Sequence, residues 1–253
     1  MSRQLKTQVF KDLLSRFVIN TNYNEKNWEL DLIENVQKAE WFYKDFYQKK
    51  HPSLPDLTLG KLCYELLSIY KPLKQQDSRR LITNYKKYRN DQPKCGSILL
   101  TRDLDKVLLV LGVPHGKNKK GKWGFPKGTL ELDESTKDCV IRETREEIGY
   151  DLAGKLNEKN CLKKKLKSTL SYMYIVTDVD PNQKFNTETR NEIQDIKWFP
   201  VDKIPSKDSN YVLNKYRQEL LNWIKFKKSE RNNGGGIKID LKTLFSNSKE
   251  KIN

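Results

Sequence analysis

Val9, Phe10, Leu13, Leu14, Phe17 and Val18 recur at i, i+1, i+4, i+5, i+8 and i+9, the spacing of an amphipathic helix. A second helical pattern covers 29–49, with an apolar stripe of Leu32, Val36, Ala39, Tyr43 and Phe46. At about 100° per residue those five cluster on one side, and Trp41 and Asp45 fall together on the other. The pattern thus leaves a tryptophan in water, one turn from a carboxylate. A turn at HPSLP precedes a third helix near 59–70, with Leu62, Leu66 and Ile69 on one face. The polar segment KPLKQQDSRRLITNYKKYRNDQP holds one further helix, so residues 1–93 read as an all-α domain.

The periodicity then changes. CGSILL and DKVLLVLG are short, apolar and β-branched enough to be neighbouring strands joined by the turn at Thr101–Asp105. SYMYIVTDV (171–179) and IKWFP (196–200) are further strands, and helices fill 134–148 and 208–228. Strands interleaved with two helices predict a mixed sheet covered on both faces over 94–230. The fold class is therefore α+β, an all-α domain followed by a layered α/β domain. RNNGGG (231–236) reads as a flexible hinge before a tail that ends at residue 253. In that tail IKIDLKTLF spaces Ile237, Leu241, Leu244 and Phe245 at i, i+4, i+7 and i+8, a short docking motif or plain disordered chain.

Composition narrows the partners. Of 253 residues, 49 are Lys or Arg and 33 Asp or Glu, a formal net charge of +16. That excess suits nucleic acid or an acidic membrane surface, and equally a solvated lysine-rich exterior. The basic loop PHGKNKKGK (114–122) contributes to it. Four cysteines scattered singly and two histidines exclude a zinc site. The N-terminus has no apolar leader, and no run approaches membrane-spanning length, so a reduced, soluble, cytosolic or nuclear protein without membrane contact is expected.

The chemistry lies in GTLELDESTKDCVIRETREEIGY, which starts at Gly128. On a helix Glu143, Glu146 and Glu147 share an arc of about 100° and repel one another unless something positive sits among them. Mg²⁺ or Mn²⁺ prefers such oxygen ligands and also binds substrate phosphates. Val140, Thr144 and Ile148 occupy the adjacent arc and anchor the helix to the sheet. REE alone reads first as a solvated acidic face. The wider spacing, Gly128, Glu134, Arg142-Glu143, Glu146-Glu147 and Gly149, resembles the Nudix hydrolase signature, with Thr144 and Tyr150 where that family usually has apolar residues. The resemblance implies an α/β/α sandwich and metal-assisted hydrolysis of a diphosphate. Gly128 would let the backbone approach the metal, and Lys127 would contact a phosphate oxygen or remain an ordinary solvated lysine.

KWGFPKGTLELDE, DCVIRETREEIGYDL, RNEIQDIKWF, DLLSRFVIN, AEWFYKDF and PSLPDLTL together resemble one Nudix family, the mRNA-decapping hydrolases (decapping enzyme 2), from about residue 9 to about 228. FPKGT and EWFY replace that family's usual FPKGK and HWFY. The resemblance implies that Trp41 stacks on the 7-methylguanine of an mRNA cap, that Asp45 reads its base edge, and that Tyr211 completes the pocket as the domains close. A positively charged base on an indole face is a cation–π contact of about 0.5–2 kcal/mol. Glu146, Glu147 and Glu192 are then the catalytic set, Glu192 as general base or further metal ligand. The helix carrying Lys215, Arg217, Lys225, Lys227 and Lys228 is an RNA-binding stripe. The family also implies capped mRNA as substrate and decapping activator subunit 1 on the helical domain. Enhancer proteins would dock on the tail, a hinge would lie around Tyr88–Pro93, and the protein would work in cytoplasmic P-bodies. A Nudix enzyme cleaving a small nucleotide and an inert cap- or RNA-binding protein are the competing readings.

Overall fold

In the computed structural model, which describes residues 3–114, 120–131, 133–187 and 192–232, the chain divides into two units, Met1–Asp91 and Gln92–Asn253. The first contains α1 (Arg3–Leu14), α2 (Trp28–Phe42), α3 (Leu59–Ile69) and α4 (Ser78–Asp91). Val9, Phe10, Leu13, Leu14 and Val18 enter its core beside Leu32, Val36, Ala39 and Tyr43, as the periodicity predicts, and Phe17 packs at the edge. Thr58 caps α3 by accepting the Lys61 amide.

Two expectations for this unit fail in detail. Phe46 is 45% exposed, because α2 widens after Phe42 into a π-helical turn (Tyr43–Gln48). An i→i+5 turn shifts the phase of every later side chain, so a stripe extrapolated at 3.6 residues per turn loses its last member. The Phe46 ring stacks on Phe42 instead, at 4.5 Å between centroids. Ile69 closes α3 and is also exposed, and Cys63 and Leu67 complete the buried face with Leu62 and Leu66. The division between the two units, after Asp91, falls within the hinge expected around Tyr88–Pro93; α4 is helical through Asp91, and Gln92 and Pro93 lead to the first strand.

The second unit is built on β1 (Lys94–Leu99), β2 (Lys106–Gly112), β3 (Trp123–Gly124), β4 (Lys127–Thr129), β5 (Cys161–Leu166), β6 (Thr169–Val176) and β7 (Ile193–Pro200), with α5 (Thr136–Ile148) and α6 (Tyr211–Asn232). One sheet has the order β4-β1-β6-β5, with β1 and β6 parallel, and the other β3-β2-β7. β1 and β2 are therefore not neighbours in one sheet. β4 and the Pro126 carbonyl occupy one edge of β1 and β6 the other, leaving a single Leu100–Val107 bridge to β2. The intervening turn is tightened by Thr101, whose hydroxyl donates to Asp105 and accepts the Lys106 amide.

Period-2 alternation sorts the strand residues between two cores. Ile98, Val107, Leu109, Met173 and Ile175 face α6 through Leu213, Tyr216, Leu220 and Trp223. Cys95, Leu99, Leu108, Val110 and Val176 face α5 through Cys139, Val140 and Ile148. The expected α/β/α layering with a mixed sheet is what forms. β5 has no counterpart in the sequence reading, since CLKKKL shows no apolar alternation; it pairs with β6 at the sheet edge, where lysines are tolerated. Asn232 ends α6, so the first residues of the expected 231–236 hinge are helical. The rest of that hinge, the tail motif and 115–119 of the basic loop lie outside the described residues.

Candidate active site

α5 is fixed at both ends. Ser135 accepts the Asp138 amide at 3.2 Å and donates its hydroxyl to the Asp138 carboxylate. Gly149 ends the helix at φ 68°, a left-handed conformation that suits glycine, with its amide on Arg145 carbonyl at 2.7 Å. Val140, Thr144 and Ile148 are buried against the sheet as expected. The polar Thr144 is accommodated by a 2.9 Å hydrogen bond with Ser97 on β1.

That anchoring directs Glu143, Glu146 and Glu147 toward β4. One positive group already stands among them, Arg142 from the same helix. Its guanidinium donates to Glu134 (2.8 and 3.0 Å), Glu143 (2.8 Å), Glu146 (3.1 Å) and the Thr129 carbonyl (3.2 Å). Glu147 is held separately, accepting the Lys127 amide at 3.0 Å. Gly128 lies against Glu143 so closely that a Cβ there would overlap the carboxyl group. A larger residue at 128 would push the Glu143 carboxyl aside and out of its contact with Arg142.

Burial decides the protonation of this cluster. It pushes Glu147 up to about 8, only partly countered by the charge and amide of Lys127. Glu143 and Glu146 are also raised, by burial first, with Arg142 opposing. At Glu134 burial is outweighed by the Arg142 hydrogen bonds, and its carboxyl lies below the usual range. The charge of Glu192 adds to the upward shifts of Glu143, Glu146 and Glu147, which places it in the same electrostatic neighbourhood. Glu147, Glu192 and Lys127 line a cleft of about 780 Å³ together with Lys120, Lys122, Asp208 and Asn210. Asp208 and Asn210 carry no sequence signal, because they reach the cleft only when 208–210 is zipped onto β3. Trp123 amide donates to Asp208 carbonyl and Asn210 amide to Trp123 carbonyl, each at 2.8 Å.

The lysines and arginine of α6 do not form one stripe. Lys215, Lys225 and Lys228 are exposed. Arg217 is turned inward, donating to the Ile204 and Pro205 carbonyls. Lys227 pairs with Glu230 at 2.7 Å. The reason is helical phase, since Leu213, Tyr216, Leu220, Trp223 and Ile224 claim the packed side and Lys227 continues that side. Tyr211 is 47% exposed, with the Lys167 and Lys215 ammonium groups 5.5 and 5.4 Å from its ring centre. In the helical unit Trp41 is 53% exposed, as its helical phase predicts, and Asp45 pairs with Lys49 at 2.6 Å.

A model of the NUDIX domain matches residues 92–223, more than half of the chain. The chain belongs to the Nudix family. A Dcp2, box A domain model matches residues 8–88, ahead of the Nudix domain. The m7GpppN-mRNA hydrolase of Saccharomyces cerevisiae is 28% identical over 233 residues, covering 89% of this chain and 23% of that protein. The mRNA decapping complex subunit 2 of Schizosaccharomyces pombe is 30% identical over 231 residues, covering 87% of this chain and 30% of that one. The chain thus spans less than a third of the length of these relatives. The structure of a Caenorhabditis elegans Ap4A hydrolase binary complex aligns with 53% of this chain and 98% of its own, at 16% identity and TM-score 0.42.

Nudix hydrolases generally use divalent metal ions. Among the described residues no three His, Cys, Asp or Glu side chains converge as a ready cage. Arg142 draws Glu143 and Glu146 to itself, and the Lys127 amide holds Glu147. The donor set nevertheless fits a hard cation. It offers carboxylate oxygens that burial destabilises as bare anions, beside a backbone kept accessible by glycine. No helix among the described residues is long and apolar enough to cross a membrane.

Proposed function

We propose that this chain is an mRNA-decapping hydrolase, cleaving m7GpppN-RNA to m7GDP and 5′-monophosphate RNA. The observation that carries this reading is Trp41. A helical unit matched by the Dcp2 box A model holds its tryptophan 53% exposed, one turn from Asp45, in the same chain as a Nudix domain. Water repels so large an apolar surface, and a planar cationic base would cover it.

In this reading Trp41 stacks on 7-methylguanine, Asp45 accepts hydrogen bonds from the base edge, and Tyr211 is a further cap-binding residue. Glu143, Glu146 and Glu147, with the Gly128 backbone beside them, hold Mg²⁺ or Mn²⁺. When bound, the cation offsets charge on the phosphate oxygens and acidifies water. Lys127 contacts a phosphate oxygen, orienting the bridge. Glu192 would take a proton from the water that attacks a phosphorus of the α–β bridge, whose bridging P–O bond breaks to release m7GDP and 5′-monophosphate RNA. Lys215, Lys225 and Lys228 remain available for the RNA backbone; Arg217 and Lys227 serve the fold first. The helical unit is the docking face for decapping activator subunit 1, and enhancer proteins dock on the tail. The cytoplasm is the expected compartment. Action within a decapping complex is what the relatives' names and the box A match support.

The test is product analysis on cap-labelled RNA of a few dozen nucleotides, beside free cap dinucleotide, with Mg²⁺ or Mn²⁺. Methylated GDP released from the long RNA alone supports decapping. Equal or faster cleavage of the dinucleotide overturns it in favour of a small-nucleotide enzyme. Trp41→Ala is expected to raise KM for capped RNA about tenfold, in line with a lost cation–π stack. It should change unfolding free energy by less than about 0.5 kcal/mol, as at other exposed positions. Equal losses in both assays would make Trp41 a packing residue.

A further inference from the structure

We propose that Lys120 and Lys122 form an anion subsite in the cleft that holds Glu147 and Glu192, and that it takes backbone phosphates of the RNA strand adjoining the cap. The proposal deepens the decapping reading and rests on it. Lys120, Lys122 and Lys127 line the cleft together, against Glu147, Glu192 and Asp208. With the two glutamates compensated by bound cations, what remains of the lining charge is positive, and an anionic strand is drawn in.

The position of the two lysines is built by the backbone. Gly121, between them, presses on β2, and a Cβ there would collide with the Gly112 carbonyl and touch the Leu111 side chain. The Gly112 amide donates to the Lys122 carbonyl at 3.3 Å. On the other side Trp123 is clamped by Asp208 and Asn210, as described above. The segment is thus tied to β2 and to the start of α6, which sets both side chains at the cleft. Asn210 adds a neutral wall to it. Its side-chain oxygen accepts the Leu213 amide at 2.9 Å, and its amide nitrogen lies against Gly124.

The two ammonium groups are also available. Among the described residues Lys6, Lys44, Lys49, Lys137, Lys164 and Lys227 are engaged by carboxylates, and Lys120 and Lys122 by none. Both are exposed, so each can reach a phosphate without first breaking an ion pair. Lysine serves here as a flexible point charge that binds phosphate without reading sequence.

The experiment measures binding by fluorescence anisotropy at a fixed Mg²⁺ concentration, with a methylene group replacing the oxygen that bridges the α and β phosphates so that nothing is hydrolysed. The probes are a labelled capped RNA of about a dozen nucleotides, near the length a single-strand groove covers, and labelled free cap dinucleotide. Each lysine–phosphate contact contributes about 0.7 to the slope of log affinity against log salt for a single strand, so Lys120→Ala/Lys122→Ala should lower the slope by about 1.4. RNA affinity should fall about tenfold at physiological salt. The cap dinucleotide should bind the variant as it binds the parent chain. Lys184→Ala/Lys203→Ala, a pair of exposed lysines outside the cleft lining, is the control for general charge. An unchanged slope, or one equal to the control, overturns the proposal. Equal weakening of RNA and dinucleotide overturns its placement beside the RNA strand. These outcomes need no turnover. Failure of decapping itself appears separately, as absence of methylated GDP from the parent chain.

Discussion

Glu147→Gln is expected to lower the rate of capped-RNA hydrolysis by about a thousandfold, the scale on which loss of a group stabilising transition-state charge is felt. The amide keeps the shape of the side chain, and its oxygen still accepts the Lys127 amide. It cannot carry the charge that a divalent cation needs. Folding should be unaffected or slightly improved, because burial already pushes this carboxyl up to about 8 and a neutral amide avoids that penalty. RNA binding should stay within about threefold, since the distant phosphate contacts remain. Single-turnover hydrolysis, thermal unfolding and anisotropy separate the three. If Glu147→Gln stays within tenfold of the parent rate while Glu192→Gln loses most of it, the main burden passes to Glu192.

Arg142→Ala carries the largest expected stability loss, about 3 kcal/mol, as for other partly buried ion-pair networks broken by removing one partner. Arg142 is 26% exposed at its side chain and touches three glutamates and one carbonyl. Its removal leaves Glu134, Glu143 and Glu146 facing one another without compensation. Lysine should recover only part of this, because one ammonium cannot repeat the forked bonds to Glu134. Saturating Mg²⁺ or Mn²⁺ should restore more stability to Arg142→Ala than it adds to the parent, since a bound cation would then be the main counter-charge left to Glu143 and Glu146. Denaturant unfolding with and without metal measures this. Arg145→Ala, at an exposed pair with Asp151, is the comparison, and a loss no larger than its own would show that Arg142 is not the organiser of the cluster.

Much of this was legible because it is local. Helical spacing alone put Trp41 on the solvent side of α2 and Val140, Thr144 and Ile148 on the packed side of α5. The same spacing brought Glu143, Glu146 and Glu147 together. Phe46 and Ile69 were misplaced where local regularity ended, at a π-turn and at a helix terminus. Arg217 and Lys227 look like solvated charges in sequence, yet one is recruited by two carbonyls and the other by Glu230. Neither fate is encoded by spacing.

The sequence by itself determined the two-part organisation, the alternation that sorts strand residues to the two helices, and the carboxylates that share one helical face. These depend on periods of two and 3.6 residues, which a chain carries wherever it folds. Only the tertiary structure decided that β1 and β2 belong to different sheets. Only it tied Arg142 to Glu134 as well as to Glu143 and Glu146, and brought Lys122, Asp208 and Asn210 into one cleft. Those outcomes depend on which strand edges are already filled and on groups that meet from distant segments. Hydrogen bonding and burial act between such segments only once the chain has folded.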